Sequence, residues 1–257
     1  MTHVYEQPLY LYEAGSRLTG TSIATSDSDM IEVRGEPIES LLGIGPEMKA
    51  TQIKRDGADV AIQPLRKFVS LLAQGNPNMV QGLFVPEDLI YECHPSFRFW
   101  IKNDPDQFIS QKAGARFKGY AWQQFETIIA KRPARVQRPE LVEEHGYDTK
   151  FAGHAYRLTM QGVEYLTEGR LTLPMPERER QTVLDIRAGK YSKDEVTELI
   201  RDALAALDVA HERSPLPEAP DYDKINANMI SLFRSLYPVK LRQQVPLGYA
   251  PAPYLRY

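Results

Sequence analysis

Two aspartates one residue apart, Asp27 and Asp29, open the β-forming run Asp27-Ser28-Asp29-Met30-Ile31-Glu32-Val33, and no other feature of the chain restricts its architecture as strongly. Side chains alternate along an extended backbone, so Asp27 and Asp29 project to the same side. Carboxylates held that close repel unless a cation lies between them, and hard oxygen ligands favour Mg²⁺ or Mn²⁺. The plain alternative is a polar Asp-Ser-Asp loop, since motifs this short recur by chance.

The residues before the pair complete a second pattern. Pro8 to Ala14 contains Leu9, Tyr10, Leu11 and Tyr12 and reads as a strand, and Gly15 frees the backbone to turn into a short helix. A helix start offers unpaired N–H groups, which with the Ser16 hydroxyl and the Arg17 guanidinium suit triphosphate oxygens. A simple Gly-Ser turn is equally compatible with these residues. Further on, Gly57-Ala58-Asp59-Val60-Ala61-Ile62 reads as a strand with an aspartate near its start, followed at Pro64 by a helix through Leu65, Phe68, Val69, Leu71 and Leu72. Asp59 beside Asp27 and Asp29 would complete a site for two divalent ions.

These segments, in this order, resemble the predicted nucleotidyltransferases of the DNA polymerase beta superfamily, in particular the branch associated with RNA-repair operons. The resemblance runs through Gly15-Ser16, Asp27-Ser28-Asp29, Asp59 with Leu65-Arg66-Lys67-Phe68, and Gly75-Asn76-Pro77-Asn78. It continues through Gln111-Lys112 with Arg116-Phe117 and Gly119-Tyr120, the run from Tyr147 to Ala155, and Leu166-Thr167-Glu168-Gly169-Arg170. The family often has a further acidic residue shortly after the aspartate pair. Here Ile31 and Glu32 occupy that place, which leaves the role of Glu32 open, and the link from Gly20 to Asp27 is slightly longer than usual.

Composition sets the outer limits. A chain of 257 residues, 42% hydrophobic and 25% charged, can bury a full core like an ordinary globular protein. A net charge of -3 gives no overall pull toward nucleic acid or anionic membrane, so affinity for a polyanion has to come from a local patch. The single cysteine, Cys93, excludes an internal disulfide and reads as a packed thiol. No apolar run spans a bilayer and the first residues lack a basic-then-apolar leader, which points to a cytoplasmic protein.

After about residue 106 the periodicity turns helical. From Ala113 to Lys131, Phe117, Tyr120, Phe125, Ile128 and Ile129 gather toward one face, opposite a stripe of Lys112, Arg116, Gly119 and Gln123. Between Gln111 and Arg138 the bases Lys112, Arg116, Lys118, Lys131, Arg132, Arg135 and Arg138 meet the single acid Glu126. That bias in an acidic chain suits a negatively charged partner, although a solvated helix face has the same pattern. A second helix, from about Asp148 to Leu166, places Lys150, His154 and Arg157 on one stripe and Phe151, Ala155, Leu158 and Val163 toward the core. Ser192 and Glu195 form a capping box, and Pro215 to Pro220 links to a last amphipathic helix with Ile225, Met229, Ile230, Phe233 and Leu236.

The resulting expectation is an α/β fold: a small polymerase-beta-like mixed sheet with helices over residues 1–105, a helical portion over 106–237 forming the other wall of a cleft, and a Pro/Tyr-rich tail over 238–257. The resemblance implies transfer of a nucleoside monophosphate from an NTP to a hydroxyl, an RNA end, with two Mg²⁺ (or Mn²⁺) ions on Asp27, Asp29 and Asp59. Gly15, Ser16, Arg17, Lys112, Arg116, Lys150 and His154 would hold the triphosphate, and Lys131, Arg132 and Arg135 the RNA. A non-catalytic nucleotide- or RNA-binding regulator, transfer to a protein hydroxyl, and an assembly protein acting through its tail are the competing readings.

Overall fold

A computed structural model describes residues 7–129 and 138–237. The chain opens with β1 (Pro8–Glu13), a short α1 (Gly15–Thr19), β2 (Ser28–Arg34), α2 (Ile38–Leu42), β3 (Thr51–Arg55) and β4 (Ala58–Pro64). It continues through α3 (Leu65–Ala73), α4 (Pro77–Gln81), β5 (Ile90–Cys93) and α5 (Pro95–Phe97), which runs on into a π-helical turn. The strands lie in the order β3-β4-β2-β1-β5. β2 and β4 run parallel and the other neighbours antiparallel, so the sheet is mixed, as expected from the sequence.

β3 and β4 form a hairpin that the sequence reading did not resolve. Its two-residue turn is Asp56-Gly57, with φ of 50° and 81°, the left-handed pair that matches the twist of the flanking strands. β3 is exposed along most of its length and lacks the apolar alternation that marks a half-buried strand.

The helical portion comprises α6 (Gln111–Ile129), α7 (Pro139–His145), α8 (Thr149–Glu168), α9 (Glu177–Arg187), α10 (Lys193–Glu212) and α11 (Tyr222–Leu236). Three of these helices approach closely because small residues face their neighbours. A Cβ on Gly114 would lie 2.6 Å from Leu166, and one on Gly162 would lie 2.8 Å from Leu207 and 2.9 Å from Phe117. α8 starts at the Asp148 cap, whose carboxylate accepts the N–H groups of Lys150 and Phe151, and α10 starts with the Ser192/Glu195 box. In α11 the inward side is Ile225, Leu232 and Leu236, whereas Ile230, read as apolar-face, is half exposed.

One hydrophobic core crosses the boundary read at residue 105. It runs from Leu9, Tyr10 and Tyr12 on the sheet through Phe68 and Phe97 to Phe117, Tyr165, Ile200 and Leu236 on the helices. Tyr12 stands opposite Ile31 and Tyr10 opposite Val33, so the sheet face against the helices carries these four. Asp29 belongs to the same face, two residues before Ile31, and therefore sits at the rim of the core. Glu32 has the opposite parity and faces away, fully buried and paired with Arg34 and with Arg55 at 2.7 Å. This settles the place of Glu32: its charge is neutralised on the far side of the sheet.

Candidate active site

β2 and β4 run in parallel register with Asp29 directly beside Asp59, so two carboxylates thirty positions apart share one rim of the sheet. Asp27 precedes β2 by one residue. The turn before the strand is tied to it by a hydrogen bond from the Ala14 N–H to the Asp29 carbonyl at 2.7 Å. Gly15 then takes a φ of 61°, and a Cβ there would stand 2.3 Å from Asp29 Oδ2. Glycine is needed twice over, for the left-handed backbone and for the close approach of the carboxylate.

Gly15, Ser16, Asp27 and Asp29 form one wall of a cleft of ≈ 470 Å³, and Lys150, His154, Arg157, Arg138 and Arg187 line the facing one. α8 supplies Lys150, His154 and Arg157 at spacings of four and three, as its stripe predicts. Arg187 comes from the end of α9, its stem crossing α8 where Gly153 leaves room: a Cβ on Gly153 would be 3.0 Å from Arg187 Cγ. The Arg187 guanidinium also donates to the Thr21 carbonyl. Arg138 is paired with the Asp148 cap at 3.4 Å.

The electrostatics divide between the walls. Burial, then Asp59, raise the Asp29 pKa; Lys150 opposes them from across the cleft, and Asp27 and Glu13 add to the rise. Among the described residues no three His, Cys, Asp or Glu side chains are drawn together tightly enough to form a ready-made metal cage. The donor set nonetheless fits hard divalent ions: it consists of carboxylates, and the raised proton affinity of Asp29 marks a place short of positive charge.

On the facing wall, burial, then Arg157 and Lys150, push the pKa of His154 down to about 3. His154 is therefore uncharged at neutral pH, and the positive charge resides on the lysine and arginines around it. An unfolded histidine titrates near 6.5, so this group's contribution to stability is complete above that pH and is lost as pH falls toward 3. Between pH 7 and 5 the loss should reach about 2 kcal/mol, or roughly 4–8 °C for a domain of this size. A His154→Gln variant should lose that much less Tm over the same interval; parallel melting curves at the two pH values check it.

The remaining predicted residues are placed elsewhere. Arg17 projects from α1 into a neighbouring concavity that shares Ser26 and Asp27 with the cleft, 3.9 Å from Glu13. Asp59 lies beside Asp29 without lining the cleft, 3.9 Å from Lys54 of β3. Lys112 and Arg116 are not brought to the cleft. The buried side of α6 holds Ala113, Phe117, Ala121 and Phe125, which turns both cations outward, and Lys112 donates to the Tyr222 hydroxyl at 2.7 Å. Lys131, Arg132, Arg135 and the tail 238–257 lie outside the described residues. Arg187 went unread because nothing local distinguishes a basic residue at a helix end from an ordinary solvated one.

The family model of the RNA repair pathway DNA polymerase beta family (RlaP) matches residues 3–231. No curated protein matches the chain. Among solved structures, a nucleotidyltransferase-like protein from Exiguobacterium sibiricum 255-15 is 11% identical, covering 90% of this chain and 75% of that one, with a TM-score of 0.28. A likeness that slight carries no argument about activity. No helix among the described residues is long and apolar enough to cross a membrane.

Proposed function

Because the chain belongs to the RNA repair pathway DNA polymerase beta family and is thus a polymerase-beta-like nucleotidyltransferase, we propose that it moves a nucleoside monophosphate from an NTP to the hydroxyl of an RNA end. The observation that carries this reading is the division of the cleft, with aspartates on the sheet wall and cations from α8 and α9 opposite. A metal-bound triphosphate needs both. In the reaction the acceptor oxygen forms a bond to the α-phosphorus, the bond from that phosphorus to the β-bridging oxygen breaks, the hydroxyl proton passes to solvent, and pyrophosphate leaves with the electron pair.

Asp27, Asp29 and Asp59 would hold two Mg²⁺ (or Mn²⁺) ions. Such ions, when bound, lower the pKa of an acceptor hydroxyl and offset charge on the leaving group. Gly15 and Ser16 would hold the β and γ phosphates, while Lys150, Arg157 and Arg187 draw their oxygens toward α8 and α9. Incubation with labelled NTPs, Mg²⁺ and an RNA pool tests the proposal. Label carried covalently by RNA is the expected result; label on protein, or retention without transfer, would redirect it to a protein acceptor or to a binding role.

The RNA half of the reading rests on the basic run Lys131, Arg132 and Arg135, which exceeds what a triphosphate needs. If about three such contacts form, log K for single-stranded RNA should fall with log salt at a slope of roughly -2. Replacing all three with Ser should flatten that slope and leave NTP affinity unchanged. Unaltered RNA affinity and slope would point to another acceptor.

A further inference from the structure

Buried guanidinium groups normally face a carboxylate, because an uncompensated charge inside a protein is costly. Arg157, part-buried at the wall of the cleft, leans on neutral amides instead. Its Nη1 donates at 2.9 Å to Oε1 of Gln161, one turn further along α8, and the same oxygen accepts from Gln81 Nε2 on α4 at 3.1 Å. A guanidinium only donates, so the amide oxygen must face it, and the second donor fixes the same orientation. Gln161 is 1% exposed and Gln81 3%, and Gln161 Nε2 is left buried without a partner. None of Lys150, Arg157 and Arg187 meets a carboxylate within 4.0 Å among the described residues.

Besides Arg138, which is paired with Asp148, the helical wall therefore holds two guanidiniums without a carboxylate partner among the described residues, one of them propped by neutral amides where an acid would stabilise it more. A glutamate at position 161 would keep both hydrogen bonds, remove the unpaired N–H₂ and neutralise Arg157. Glutamine makes the same two hydrogen bonds but forgoes the other two gains, and so leaves the positive charge available.

We infer that Gln161, backed by Gln81, is a positioning residue that aims Arg157 while leaving it uncompensated, so that Arg157 and Arg187 form a subsite for the oxygens of a polyphosphate chain. This deepens the proposed nucleotide site and rests on that reading for its biological substrate, while the subsite itself requires only a polyanion. A terminal phosphate of a triphosphate fits: it brings more than one negative charge and accepts from two forked donors.

The test uses the full chain and inorganic tripolyphosphate in EDTA, with affinity read by calorimetry and folding by thermal melting. Gln161→Glu should bind roughly tenfold or more weakly, the scale of one charge-assisted hydrogen bond in binding, with a Tm no lower than wild type. A purely structural glutamine predicts the same Tm with undiminished affinity, and that result overturns the inference. Arg157→Gln serves as the second variant and should cost about as much; unchanged affinity there also overturns it. Transfer assays separate the two proposals. Transfer with a wild-type KM in Gln161→Glu removes the subsite and spares the enzyme, whereas tripolyphosphate binding that follows Arg157 and Gln161 in a chain that transfers nothing removes the enzyme and spares the subsite.

Discussion

Asp29→Asn should lower nucleotide transfer by on the order of 10²–10³-fold, the loss typical of removing one preorganised charge from a reacting centre, while raising Tm in EDTA. The two effects share one cause. Burial and the neighbouring Asp59 raise the proton affinity of Asp29, so its ionised form costs stability in the folded chain. For a carboxylate with a raised folded pKa, stability is complete below the unfolded value near 3.9 and is lost as pH rises through the folded one. Asparagine removes that loss, and the Tm advantage of the variant should shrink on acidification as wild-type Asp29 takes up its proton. Mg²⁺ with NTP at ~100 times its Kd should stabilise wild type by about 2.7 kcal/mol, a rise of roughly 5–10 °C, and the variant hardly at all. Asp27→Ala should behave similarly, whereas Asp59→Ala should still bind NTP and lose transfer, because its ion serves the acceptor. An Asp29→Asn protein that melts lower than wild type in EDTA and still answers to Mg²⁺ would place the metal site elsewhere.

Gly15→Ala should come close to that loss without removing any charged group. The left-handed backbone costs alanine about 1–2 kcal/mol, which for this size is roughly 2–8 °C of Tm. The larger effect is on geometry: the new methyl group would stand 2.3 Å from Asp29 Oδ2, and what yields is the flexible carboxylate end. A displacement of about an ångström at a reacting centre costs on the order of 10²-fold. Transfer should therefore fall far more than stability does, and kcat measured beside Tm checks the ratio. Full activity would mean that the Asp29 carboxylate does not need its present position.

Most of the cleft was legible because its residues sit in local patterns. The Asp-x-Asp spacing needs only the period of a strand, and the stripe of Lys150, His154 and Arg157 needs only that of a helix. Asp59 depended on the family resemblance, since nothing in a single sequence states that β4 lies parallel to β2 in a register that aligns it with Asp29. Lys112 and Arg116 show the limit of helical periodicity. It identifies the polar side of α6 correctly, but which cavity that side faces is decided by Ala113, Phe117 and Gly114 packing against α8. The charge of His154 was out of reach for the same reason, being set by neighbours and burial. β3 and β5 were missed as strands: one is exposed and polar, and the other is four residues long. Arg187 had no local signature, and its place in the cleft follows from Gly153 letting its stem across α8.

The core that runs without interruption from Tyr10 and Phe68 to Phe117 and Ile200 binds the two sides of the cleft into one cooperative unit. No thin seam separates the acidic rim from the cationic helices, so prying them apart would expose core side chains from both. Were the two sides to stay joined throughout binding, the apparent affinity would not be diluted by a fraction of molecules in a competent conformation. Discrimination between substrates then falls to fixed shape and charge, with little left to induced fit, and a destabilising change far away in α10 would lower occupancy by unfolding whole molecules while the survivors bind as before.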